Sequence, residues 1–222
     1  MTSKTLQKAR DYEVKMEEKI AEESRPAFHL SARVGWMNDP NGFSYYNGEY
    51  HMFYQYHPYD AYWGPMHWGH AVSKDLLHWE YRPVAIAPDM EYDKDGCFSG
   101  SAVTLPDGRH LLMYTSVERK EEADGVVRDF QTQSVAIGDG MDYEKYENNP
   151  VLTAADLPEG CSRYDFRDPK MWQLEDGSYL CVIGNRPADG SGQILLFSSP
   201  DALNWKYEKI LDANNNRYGK MW

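Results

Sequence analysis

Two aspartates stand directly before prolines, Asp39 in "NDPNG" and Asp168 in "FRDPK". Proline removes a backbone donor and drives the residue before it toward extended geometry, which can hold that residue's side chain in a fixed direction. A pair of carboxylates aimed into one aromatic pocket is equipment for cleaving a glycosidic bond, where positive charge develops on the sugar ring in the transition state. Aromatic residues make up 14% of the chain, enough either to fill a β-rich core or to stack on sugar faces. Taken singly, each Asp-Pro also reads as a plain turn former at a strand entry. What separates the two readings is whether the fold brings residues 39 and 168 together.

The elements that would do so carry a repeat. Three segments, "FSYYNGEYHMFYQY", "AVTLPDGRHLLMYT" and "MWQLEDGSYLCVIG", place an Asn-Gly or Asp-Gly turn between alternating apolar residues. These dipeptides predict type I′ hairpins, in which both central residues take positive φ. The turn glycines Gly48, Gly108 and Gly177 lie 60 and 69 residues apart. A second series, "SKDLLHWEY", "IGDGMDYEKY" and "SPDALNWKY", sets Asp75, Asp139 and Asp201 at intervals of 64 and 62 residues, each four positions before an aromatic. Two markers with one period of this length predict four-stranded blades of a β-propeller, with a linear array of stacked repeats as the alternative. Nine residues before each turn glycine stand Asp39, Ser99 and Asp168. In a propeller these three matching positions, at the start of the strand entering each hairpin, converge on the central channel. Ahead of the repeats, residues 1–24 lack glycine and proline, and Leu6, Ala9, Val14, Met16 and Ile20 fall loosely at helical spacing, which predicts a short amphipathic helix.

Composition narrows the function classes. Against 23 Lys and Arg stand 35 Asp and Glu, a net charge of −12 that repels phosphate backbones and anionic bilayers, so neither nucleic acid nor membrane is an expected partner. No apolar run approaches the roughly 20 residues of a membrane span, and no apolar signal segment follows the first basic residues. The three cysteines, Cys97, Cys161 and Cys181, form neither a disulfide framework nor a zinc motif and fit a cytoplasmic protein. His57, His67, His70 and His78 show no metal-ligand spacing and read as structural or hydrogen-bonding residues, so no metal and no cofactor is expected.

In order along the chain, "WMNDPNG", "FYQYHP", "WGHAVSKDLLHW", "FSGSAV" and "FRDPK" resemble the signatures of glycoside hydrolase family 32, the invertases, sucrose-6-phosphate hydrolases and fructan hydrolases. The resemblance runs from about His29 to Trp222. It implies an all-β fold, a five-bladed β-propeller usually followed by a β-sandwich, and retaining hydrolysis of β-fructofuranosides such as sucrose, sucrose 6-phosphate or short fructans. By the same resemblance Asp39 would be the nucleophile, with Asn38 and local amides as hydrogen-bond donors, and Asp168 the transition-state stabiliser with Arg167 beside it. Gln55, Trp63, Phe98 and Ser99 would line the fructose pocket. Adjacent residues on an extended strand face opposite ways, so Arg167 and Asp168 reach one sugar only if the strand bends or bulges there. For Trp63 and Phe98 ordinary core packing stays open, and for Arg167 a structural or surface cation.

Residues 1–27 are thus expected as an N-terminal helical segment, and 28–222 as a partial propeller holding blades 1–3 and the start of blade 4, without the sandwich. A retaining glycosidase needs a second catalytic carboxyl group about 5 to 5.5 Å from the nucleophile. The resemblance places it on a Glu directly after a Trp that matches Trp222. Glu159, Glu175 and Glu208 are expected in loops or outer strands, so this chain alone is expected to lack the acid/base and to cleave sucrose negligibly. Alternatives are a non-catalytic sugar-binding or scaffolding fragment, and a fructosyltransferase. Exposed blade edges predict self-association.

Overall fold

The computed structural model describes residues 2–218. Its strands are β1 (Trp36–Tyr46), β2 (Glu49–His57), β3 (His67–Ser73), β4 (Glu80–Ile86), β5 (Gly96–Thr104), β6 (His110–Glu121), β7 (Val127–Gly138), β8 (Tyr143–Lys145), β9 (Cys161–Gln173), β10 (Tyr179–Pro187), β11 (Gln193–Ser199) and β12 (Lys206–Ala213). They form three four-stranded antiparallel sheets in sequence order, β1–β4, β5–β8 and β9–β12. The first strands of neighbouring sheets lie side by side, β1 against β5 and β5 against β9, so they line a common axis as the inner strands of propeller blades. The expected start of a fourth blade and the motif ending at Trp222 lie outside the described residues.

Both periodic markers have a physical origin. Asp75, Asp139 and Asp201 each turn the chain from third to fourth strand: one carboxylate oxygen of each accepts the backbone N–H groups two and three residues on. The residue after each aspartate, Leu76, Gly140 or Ala202, has positive φ. The hairpin glycines differ from expectation. Only Asn47-Gly48 has positive φ at both positions, at 50° and 84°, as a type I′ turn requires. At the two Asp-Gly sites only Gly108 and Gly177 are left-handed, and their N–H groups bond back to Leu105 and Leu174. Those are three-residue loops, a type I turn closed by a left-handed glycine; at the first of them Pro106, with φ held near −65°, suits the first central position.

The core lies between blades. Phe53, Trp68, Ile86, Leu112 and Tyr114 fill the space between the first and second, while Leu111, Met113, Val135, Phe166, Ile183 and Leu195 fill that between the second and third. Consecutive residues of β6 thus enter different cores, which is why "HLLMYTSV" reads as one unbroken buried run. On the third blade Cys181, Ile183, Leu195 and Phe197 face the second, and the intervening Leu180, Val182, Ile194 and Leu196 are only half-buried.

The N-terminal helix α1 (Lys4–Glu17) begins at Ser3, whose side chain accepts the Leu6 N–H, and packs against β4. Of the expected apolar series Leu6 and Ala9 are buried and Met16 and Ile20 pack against the same cluster, while Val14 is 52% exposed and Glu13 takes a buried place instead. The buried Glu13 accepts the Val84 N–H and an Arg33 guanidinium N–H, both at 3.2 Å. Burial outweighs these partners and pushes its pKa from 4.5 up to about 7. A carboxyl group that binds its proton more tightly when folded makes stability highest below its unfolded pKa and lowers it as pH rises through the folded one. From about pH 4.5 to 7 Glu13 should therefore cost about 3 kcal/mol, at roughly 1.4 kcal/mol per pKa unit. Urea titrations at pH 5 and pH 8 check this: the loss of stability between them should shrink by about that amount in Glu13→Gln.

Candidate active site

Each inner strand breaks its ladder at the position picked out by the repeat. In β1 the register passes from Asn38 to Pro40, leaving Asp39 out; in β5 it passes from Cys97 to Gly100, leaving out Phe98 and Ser99. In β9 it passes from Arg167 to Lys170, leaving out Asp168 and Pro169. These are the bulges that bring a side chain out of the two-residue alternation. Asp39 and Asp168 have φ of 20° and 63°, a left-handed region uncommon for residues other than glycine. Asp168 stands eighth in its 13-residue strand, deeper than the strand entry the repeat suggested.

The bulges turn these groups toward one another. Ser99 Oγ donates to Asp39 Oδ2 at 3.1 Å. Asp168 sits near enough to feel the charge of Asp39: its pKa is raised, first by partial burial and then by Asp39, against the opposing pull of Arg167. The Arg167 Nε lies 3.7 Å from Asp168 Oδ2, and its NH1 donates to Asp165 Oδ1 at 3.4 Å. At the bulge the Arg167 guanidinium and the Asp168 carboxylate thus approach each other. Next to Ser99 in the chain, the Phe98 ring meets the half-exposed Trp63 ring edge-on at 5.9 Å.

Two expected residues also have partners within the chain. The Asn38 side-chain oxygen accepts the Trp36 indole N–H at 2.7 Å, and the described donor to Asp39 is Ser99. Gln55 is buried, and its Nε2 donates to the Cys97 carbonyl at 3.0 Å, supporting the β5 bulge from below. His57, His67, His70 and His78 bond to Tyr62 O, Pro65 O, His51 and Asp75. Burial lowers the pKa of His67 to about 4, leaving it neutral at pH 7. Among the described residues no group of three or more His, Cys, Asp or Glu could hold a metal ion.

Comparisons with known proteins identify the family. Residues 29–222 match the model of the glycosyl hydrolases family 32 N-terminal domain. The chain belongs to glycoside hydrolase family 32. It is 47% identical to the raffinose invertase of Escherichia coli over 199 residues, 89% of this chain and 40% of that protein. It is 40% identical to the sucrose-6-phosphate hydrolase of Escherichia coli over 224 residues, 100% of this chain and 45% of the other. Among solved structures, the Bombyx mori GH32 beta-fructofuranosidase, as a mutant in complex with sucrose, superposes with a TM-score of 0.87 at 39% identity, over 100% of this chain and 45% of that one. The chain thus spans less than half the length of these relatives.

Within this family 32 chain, residues beyond those expected at the site hold it in place. Arg186 grips Asp165 through Nε and NH2 at 3.0 and 2.6 Å, and Asp165 in turn meets Arg167. Trp36 orients Asn38. Thr115 Oγ1 accepts the Asp168 N–H at 3.0 Å. Only Trp36 lay inside a recognisable motif; Thr115 had no stronger signal than a polar pair inside the apolar run of β6.

Proposed function

We propose that this chain supplies the fructose-binding part of a retaining β-fructofuranosidase site. The observation that carries the reading is the pair of left-handed aspartates on bulged inner strands of separate blades, Asp39 held by Ser99 and Asp168 within reach of its charge. Asp39 attacks the anomeric carbon of the fructosyl unit, forming a fructosyl ester while the bond to the leaving sugar breaks. Ser99 holds the attacking carboxylate by a hydrogen bond. Asp168 stabilises the positive charge of the transition state and, with Arg167, Gln55 and Asn38, holds the ring; Trp63 and Phe98 wall the pocket. A general acid must protonate the departing oxygen, and the same group then activates water. We assign that role to a carboxyl group outside the described residues; Asp165, three positions before Asp168, is clamped by Arg186.

The relatives named for sucrose 6-phosphate, raffinose and sucrose support a small fructose-containing saccharide as substrate. The cysteines are free, which fits a cytoplasmic setting, and among the described residues no helix is long and apolar enough to cross a membrane. The half-buried apolar face of the third blade is where self-association would occur.

The protein carrying this chain, incubated with sucrose, sucrose 6-phosphate and short fructans, should release fructose whose first-formed anomer is β. Absence of fructose from all three would sink the enzymatic reading. Binding without release favours a sugar-binding role, and longer oligosaccharides at high sucrose reassign the chain to fructosyl transfer.

A further inference from the structure

The bulge that aims Asp168 leaves its own sheet unable to hold it. The β9–β10 ladder pairs Lys170 with Val182 and then Arg167 with Gly184, so the N–H of Asp168 has no partner on β10. A buried backbone donor of this kind needs an acceptor from elsewhere. It finds one on the second blade, where Thr115 Oγ1 accepts it at 3.0 Å. The Thr115 hydroxyl proton goes to Gln133 Oε1 at 2.8 Å, and Gln133 Nε2 donates to the Phe166 carbonyl at 2.7 Å.

Thr115 and Gln133 are directly opposite one another in the β6–β7 ladder and are fully buried. Together they form a bracket with two fixed ends, one on the Phe166 carbonyl and one on the Asp168 amide. Gln131 Oε1 takes the Phe166 N–H at 2.9 Å, and Ser101 Oγ takes the Met171 N–H at 3.0 Å while donating to the Pro169 carbonyl at 2.8 Å. Between Phe166 and Met171 side chains of the preceding blade thus hold the backbone groups that the broken β9–β10 ladder leaves, and add bonds at Phe166 and Met171. A hydroxyl offers one proton and accepts in return, and Thr115 uses both functions here.

We propose that Thr115 is a positioning residue for Asp168, setting the carboxylate's direction from the neighbouring blade through a bracket shared with Gln133. For the reaction this rests on the fructofuranosidase reading above; for the geometry it does not. The test compares Thr115→Val, which keeps the shape and loses both hydrogen bonds, with Thr115→Ser, which keeps both. In the protein carrying this chain, Thr115→Val should lower kcat on sucrose about 10- to 100-fold, the scale expected when a catalytic group is displaced by about 1 Å, with KM changing less than kcat. Thr115→Ser should restore most of the rate.

The second readout needs no turnover. The ¹³C resonance of the Asp168 carboxyl, assigned with Asp168→Asn, should titrate at a raised pKa in the wild type and in Thr115→Ser, and nearer the ordinary carboxylate value in Thr115→Val, because the released side chain leaves its partly buried place beside Asp39 and Arg167. An unchanged titration in a folded Thr115→Val protein overturns the proposal. Should that variant not fold, hydrogen exchange in the wild type decides: an Asp168 amide as protected as the ladder amides of β10 supports the bracket, and one exchanging at the rate of an open loop overturns it. If no form releases fructose, the functional reading falls while the titration and exchange results still judge the bracket.

Discussion

Asp39→Asn is expected to lower fructoside cleavage by about 10⁴-fold or more, as loss of a nucleophile does in enzymes that work through a covalent intermediate. The amide has nearly the same shape but lacks the charge that, on the proposed reading, attacks the anomeric carbon. Ser99 already donates to Asp39 Oδ2 at 3.1 Å, and an amide oxygen in the same place accepts that bond as well. The substitution should therefore leave sugar affinity close to wild type and leave the urea midpoint in place. Stopped-flow or steady-state assays on sucrose, with binding measured by calorimetry on the same preparation, separate these effects. A variant keeping more than about a tenth of the wild-type kcat would show that Asp39 is not the nucleophile, since general electrostatic losses are far smaller than this step.

The largest effect on stability should come from a site far from the pair. Lys145 on β8 donates to Asp89 Oδ1 and Asp93 Oδ2, both at 2.5 Å, and to the Ala87 carbonyl at 2.6 Å. Asp93 is fully buried, and its Oδ2 also accepts the Tyr114 hydroxyl at 2.8 Å; Asp89 also accepts from Ser3, the cap of the N-terminal helix. Burial raises the Asp93 pKa, and the Lys145 charge opposes that shift. Lys145→Met removes the cation that both carboxylates share and leaves Asp89 and Asp93 together without it in a largely buried place. Breaking one side of a buried pair in this way costs about 3–5 kcal/mol. The melting temperature should fall sharply at pH 7 and recover in part toward pH 4, as Asp93 takes up a proton. A loss below about 1 kcal/mol would mean that the cluster is solvated and acts as a surface pair.

Much of the architecture was legible because its punctuation is chemical. Asp75, Asp139 and Asp201 recur because a carboxylate one residue before a left-handed turn caps two N–H groups, and that need returns with every blade. Counting from the hairpin glycines located the bulges at Asp39, Ser99 and Asp168, even though two of those hairpins use a different turn from the one the dipeptides suggested. What stayed hidden is what depends on partners distant in the chain. Thr115 and Gln133 look like ordinary polar interruptions of a strand until β9 is laid beside them. Lys145, Asp89 and Asp93 look like surface charges, because nothing local marks a lysine whose two carboxylates lie 56 and 52 residues away. Glu13 occupies a core position on α1 that a hydrophobic pattern would assign to an apolar residue.

The dependence of β9 on side chains of β5, β6 and β7 has a consequence for how such a protein can be rearranged. A blade of this propeller is not a transplantable module. Grafted onto a foreign ring, strands β9–β12 would arrive with the Phe166 and Asp168 amides unclaimed, and the acidic residue would settle wherever its own sheet let it. The heritable unit is the seam between two blades, so recombination that preserves the chemistry must exchange them in adjoining pairs.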